Sequence, residues 1–175
     1  KLGTTFMRQL PVYNYRHSIN AVGGFDTASC DIAVRSRDEG QQFLDQYLGN
    51  RVAFYVDNPV EPIWEGFINR MTFSAGGVQY SIGLDEMANR LSTIATVGGI
   101  TTNTAVANDT NSQTIYGIKE DKIEQGYQNT PGTITTVMRD TQLAQRAWPK
   151  TSILPAGGGG GLLHIEMLGF WHTLE

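Results

Sequence analysis

Hydrophobic and polar positions alternate along much of the first ninety residues, the period-2 signature of half-buried strands. Residues 11–22 are rich in Tyr, Val and Ile and end at Gly23-Gly24. Residues 29–34 alternate cleanly, which places Cys30, Ile32 and Val34 on one face of a strand. The period then changes. Asp38 reads as a helix start, Phe43, Leu44, Tyr47 and Leu48 form one apolar stripe, and Gly49 ends it. A strand over 51–57 and a turn at Asn58-Pro59 follow.

The run 63–74 is apolar at both parities: Ile63, Phe67, Met71 and Phe73 share one, Trp64, Gly66 and Ile68 the other. Such a strand is expected to be central in a layered fold or to lie at an interface. Ala75-Gly76-Gly77 predicts a hairpin turn into an alternating strand over 78–84. A short helix is predicted over 85–91, with Asp85 as N-cap and Met87 and Leu91 on one face.

Beyond Leu91 the pattern loosens. Residues 92–112 are loaded with Thr, Asn, Ala and Gly and read as a long connection with a short extended piece around 94–97. A brief polar helix is expected within 115–125, then a turn-rich stretch over 126–132. Residues 133–147 predict an amphipathic helix whose inner face is Ile134, Val137, Met138, Leu143 and Ala144, stopped by Pro149. Five consecutive glycines, 157–161, precede an apolar strand over 162–174 that is expected to open a second β-unit. The fold class expected is therefore mainly β with a few helices (α+β). Its parts are a β-domain over 1–91, a connecting segment over 92–132, and over 133–175 a helix with the beginning of a second β-unit.

Composition bounds the function. The chain has 175 residues, a net charge of −4, and 13 Lys and Arg scattered along it, with Arg35/Arg37 and Arg16/His17 as the densest clusters. That is not the basic footprint of a phosphate-gripping protein. Charged residues make up only 17% of the chain, which suits a surface partly covered by partners. The lone Cys30 has no cysteine to pair with and reads as a buried structural thiol. No apolar stretch approaches a membrane span. The chain begins at Lys1 and stops within an apolar run, so it reads as part of a longer polypeptide.

Motifs for chemistry are missing, and neither a catalytic, a cofactor-binding nor a metal residue is assigned. The three histidines, His17, His164 and His172, lie outside any zinc-type spacing, and His164 with Glu166 reads as exposed polar positions on one strand face. The glycine run lacks the Lys-Ser/Thr of a phosphate loop, and no serine sits in a nucleophile elbow. Asp57, Glu61 and Glu65 beside Tyr55 and Trp64 form the one grouping that could hold a sugar, although a solvated hairpin end with a packed Trp explains it better. Asn108-Asp109-Thr110 matches a glycosylation acceptor, a pattern frequent by chance.

Several segments, taken in order, carry a resemblance. They are Gly23-Gly24-Phe25-Asp26-Thr27-Ala28-Ser29-Cys30-Asp31-Ile32, Phe43 to Val52 with its Leu48-Gly49 ending, Ile63-Trp64-Glu65-Gly66-Phe67-Ile68, and Asp85 to Arg90. With Gln113-Thr114-Ile115-Tyr116-Gly117 and Leu168-Gly169-Phe170-Trp171, the order resembles the tail hub (baseplate hub) proteins of tailed bacteriophages. The resemblance implies a tail-tube-like β-barrel or sandwich with a helix packed on it and the start of a second similar unit.

It also implies a virion structural protein, made in the bacterial host cytoplasm and incorporated in the tail tip or baseplate. Copies of the chain would form a ring, a homotrimer, in which sheets join laterally and cover their edges. The ring would join the tail tube to the tip, contact tube, distal-tail and tip or fibre proteins, and line a channel through which DNA passes without specific binding. No enzyme activity, cofactor or membrane span is implied. Trp64, Gly66, Phe67 and Ile68 would define the barrel, with Gly66 permitting close backbone approach. Tyr116, Trp148 and Trp171 are further structural or interface candidates, and 92–112 and 133–147 would supply intersubunit contacts. The alternatives are a distal-tail or tail-tube protein in hexameric rings, a carbohydrate-binding β-module, and a hydrolase.

Overall fold

The structure, a computed structural model, describes residues 12–22, 24–56, 61–97, 99–128, 132–156 and 161–173. They form a mainly β, α+β protein with two sheets, neither closed into a barrel. Two compact units contain them: Lys1–Ile82 with Thr151–Glu175, and Gly83–Lys150.

The first unit is built on seven strands: β1 (Val12–Asn20), β2 (Gly24–Ala33), β3 (Arg51–Phe54), β4 (Trp64–Ala75), β5 (Val78–Gly83), β10 (Thr151–Pro155) and β11 (Leu162–Gly169). Their order is β1-β2-β11-β4-β5-β10, with β3 beside the start of β4, and β1–β2, β2–β11, β11–β4, β3–β4 and β5–β10 all pair antiparallel. Helix α1 (Arg37–Gln46) packs on β4. Ser36 caps it by accepting from the Glu39 N–H at 3.1 Å, and Leu44 and Leu48 are buried as the apolar stripe predicts. Gly76 and Gly77 both have positive φ, 60° and 78°, the conformation a two-residue hairpin turn demands.

The second unit centres on β6 (Arg90–Val97). Along one edge run β7 (Ile100–Asn103) and β8 (Ala107–Asn108), bridged where the Thr104 N–H donates to the Thr93 carbonyl at 2.8 Å. Along the other runs β9 (Glu120–Gln128), parallel to β6, after helix α2 (Thr110–Tyr116). Helix α3 (Gly132–Arg146) lies against β6.

Four expectations are corrected. The strand at 162–174 does not open a second unit: β11 sits between β2 and β4 in the first sheet, its Leu163, Ile165 and Met167 buried in the same core as Cys30 and Met71. The domain boundary expected at Leu91 is therefore displaced, because the strand that completes the first sheet arrives from beyond Thr151. No helix forms over 85–91; the Asn89 and Arg90 N–H groups both donate to the Lys119 carbonyl, which draws this segment into β6. The extended piece expected around 94–97 is the end of β6, but the rest of 92–128 is not a connection with a polar helix within 115–125: it holds β7, β8, α2 at Thr110–Tyr116 and β9.

The two-sided apolar pattern of β4 has a local cause. Met167 pairs with Ile68 and Glu166 with Arg70, so Asn69 is an extra residue, a β-bulge. The bulge reverses the parity. Trp64, Gly66 and Ile68 before it and Met71 and Phe73 after it turn to the same face, and all are buried. Phe67 faces the other way, 6.3 Å from the Phe170 ring.

Candidate functional site

Trp64, the residue on which a sugar would have to stack, is fully buried, between Phe25 and Phe54 at ring distances of 6.3 and 6.1 Å. The carbohydrate grouping around it is therefore overturned, and Asp57 lies outside the described residues. Gly66 is needed where it stands. A Cβ there would meet the Leu168 backbone oxygen and lie 2.5 Å from the Trp64 Cη2. Tyr15 of β1 meets Phe54 of β3 at 4.2 Å, so aromatic rings bridge two strands that are not neighbours in the sheet.

Cys30 is 2% exposed, and burial, with Asp31 nearby, pushes its thiol up to about 12. A thiol so hard to ionise is an inert packing group. Burial likewise raises the Tyr15 hydroxyl to about 12, with Cys30 adding to it.

The opposite face of the first sheet is polar, and the ladder arranges it in rows. Asp31 of β2 pairs with His164 of β11, His164 with Thr72 of β4, and Ser81 of β5 with Ser152 of β10. Side chains link much of the row: His164 Nδ1 to Asp31 at 2.7 Å, and Thr72 Oγ1 to Ser81 Oγ at 3.2 Å. The Asn14 amide donates to Asp31 at 2.7 Å. That bond and His164 hold the Asp31 carboxyl below the usual carboxylate range. His172 and Ser18 do the same for Asp26. A neighbouring row sets Arg16, Ser29, Glu166 and Arg70 side by side. Along this second row lies an open groove of about 440 Å³ lined by Arg16, His17, Asn69, His164 and Glu166 among others. The groove is of mixed sign. Among the described residues no group of three or more His, Cys, Asp or Glu could hold a metal ion.

In the second unit Tyr116 and Trp148, both singled out in the sequence, meet edge-to-face at 6.1 Å. The Trp148 indole donates to Asp109 at 3.1 Å, and Asp109 caps α2 by accepting from the Ser112 N–H. Asn89, fully buried, ties this corner together. Its amide donates to the Gly117 carbonyl at 2.8 Å and to Ser112 Oγ at 3.2 Å, and its side-chain oxygen accepts from the Lys119 N–H at 2.8 Å. Tyr116 and Trp148 thus belong to a corner built on Asn89. The side chain of Trp171 lies outside the described residues, as do 157–160 of the glycine run.

No protein-family model, no curated protein and no solved structure matches the chain.

Sequence reasoning missed the orientation of α3. Ile134 and Val137, expected on the inner face, are 49% and 62% exposed, and Ala144 is exposed too. Leu143 stays half-buried as expected, but the rest of the inner side is polar. Thr135 is buried, Arg139 donates to the Ala105 carbonyl at 2.5 Å, and Arg146 donates to the Glu86 carbonyl at 3.2 Å and pairs with Asp121 at 2.7 Å. Two arginines that satisfy carbonyls of neighbouring loops outweigh the apolar stripe in setting the helix's rotation. Ile100, Ile115 and Ile118 of the same unit are also more than half exposed.

Proposed function

We propose that the chain is a structural protein of a bacteriophage tail, a hub whose copies form a ring joining the tail tube to the tip. The observation that carries the reading is the inverted helix α3. It turns Ile134 and Val137 outward while burying Thr135, so the bonds made by Arg139 and Arg146 leave the unit with an apolar surface that a partner can cover. Ile100, Ile115 and Ile118 add to the apolar surface of the unit. Such surface calls for a protein partner, and a further copy of the chain supplies one repeatedly. The mixed-sign polar face of the first sheet suits the lining of a channel through which DNA slides without being held, because Asp31 and Glu166 stand among its cations Arg16, Arg70 and His164.

Electron microscopy and mass measurement of the purified particle test the reading. Closed rings of three copies are expected, and the double variant Ile134→Asp, Val137→Asp should abolish them while keeping the far-UV spectrum of the parent. A six-copy ring that survives every disruption of sheet contacts would reassign the chain to a tube or distal-tail role. A protein that stays monomeric at high concentration and is missing from virions would overturn the proposal.

A further inference from the structure

β10 is the outermost strand at one end of the seven-stranded sheet, and all five of its residues are exposed, Ile153 at 63% and Leu154 at 54%. No described strand pairs with its outer edge. Native sheets protect such an edge with charges, prolines, bulges or a covering segment. β1, at the other end, shows two of these devices: it carries Arg16 and His17, and its pairing with β2 shifts register twice. β10 has neither. Thr151, Ser152, Ile153, Leu154 and Pro155 bear no charge, and they pair with β5 without a register shift.

The ladder shows which backbone groups are left over. The Ala156 N–H donates to the Gly77 carbonyl at 2.9 Å, continuing the β10–β5 register. In an antiparallel pair, residues alternate between bonding inward and pointing outward. Ser152 and Leu154 therefore bond to β5, while Thr151, Ile153 and Pro155 direct their backbone groups away from the sheet. Proline costs nothing at an outward position, having no N–H to offer β5.

We propose that two copies of this chain pair antiparallel through β10 about a two-fold axis at Ile153, extending the sheet across both. The register is self-complementary. Ile153 meets Ile153 of the second copy and exchanges both backbone hydrogen bonds. Thr151 meets Pro155, which can only accept, and the Thr151 N–H supplies the donor. Four backbone hydrogen bonds form, no like charges meet, and the exposed Ile153 side chains cover one another. A β10-to-β1 joining would instead set a straight strand against a bulged one. The pairing does not depend on the tail reading and uses no residue of Gly83–Lys150, where the ring contacts are proposed.

Ile153→Pro provides the test, because the N–H it removes points outward and no bond to β5 is lost. The full chain should show concentration-dependent dimerisation in sedimentation. The variant should weaken it by at least about tenfold, the usual cost of one or two lost hydrogen bonds, with an unchanged thermal melt at dilutions where both proteins are monomeric. Ile153→Cys supplies a second readout. The two-fold places its Cα atoms about 5.5 Å apart, within disulfide reach, so mild oxidation should give a covalent dimer. Thr151→Cys, which faces Pro155, should not cross-link, and Cys30 is too buried to compete. Wild-type protein that stays monomeric, Ile153→Pro protein that dimerises as before, or equal cross-linking by both cysteine variants would overturn the pairing. The proline variant also separates the two contacts: any ring keeps its closure and loses only the doubling of its mass.

Discussion

Gly66 shows how one side chain's absence sets a packing arrangement. Its Cα passes so close to the Leu168 carbonyl that an alanine Cβ would overlap a backbone atom, which cannot rotate away. Gly66→Ala should cost about 3 kcal/mol, the upper range for overpacking a core, and lower the melting temperature by roughly 6–12 °C. Gly132→Ala is the control: its Cβ would meet nothing within 4 Å, so the melt should not move downward. Asp31 makes a second prediction. Its carboxyl is held below its unfolded value by Asn14 and His164, so its contribution to stability is full above the unfolded pKa near 4 and is lost as pH falls through the lower folded value. Asp31→Asn should flatten the acid limb of a stability-against-pH curve and leave its neutral plateau less affected. An acid limb of unchanged slope would show that other carboxylates dominate there.

Among the elements, those fixed by local rules were legible. The Gly76-Gly77 hairpin, the strand bearing Cys30 and the stripe of α1 all follow from turn chemistry and from periods of 2 and 3.6. The β4 pattern is visible but ambiguous, since apolar residues at both parities also suit burial on two faces. A change of parity midway along a strand is also what a bulge writes into a sequence, and Asn69 at the change is the residue that carries it. Deleting Asn69 should be far worse than replacing it. Without it, Trp64 and Ile68 or Met71 and Phe73 must turn to the polar face, a loss on the order of 5 kcal/mol from large core side chains, comparable with the net stability of many domains. Urea denaturation should therefore find the deletion unfolded or nearly so and Asn69→Ser folded. Equal stabilities would show the register to be slack. The rotation of α3 was not legible at all, because its apolar stripe is genuine and only the carbonyls that Arg139 and Arg146 reach, distant in sequence, decide which side turns inward.

For the whole molecule, the decisive fact is where β11 goes. Read locally, an apolar strand after five glycines looks like a fresh start, and nothing in its period says that its partners lie some 130 and 100 residues earlier, in β2 and β4. Long-range pairing is what local pattern leaves out. The consequence can be measured on shortened chains. A first domain complete by Leu91 would fold without residues 92–175. The ladder requires the opposite, because removing β11 leaves β2 and β4 without the strand that joins them and exposes Cys30, Ile32, Met71 and Phe73 along the seam. Chains ending at Leu91 or at Gly161 should show no cooperative thermal transition of the first sheet. A synthetic peptide of 162–173, added to the chain ending at Gly161, should restore part of it, since β11 brings its own burial and both sets of backbone bonds with it. A cooperative melt from the Leu91 chain alone would mean that β1 to β5 hold together without their central partner, and that the sheet order described here is not the one that stabilises the protein.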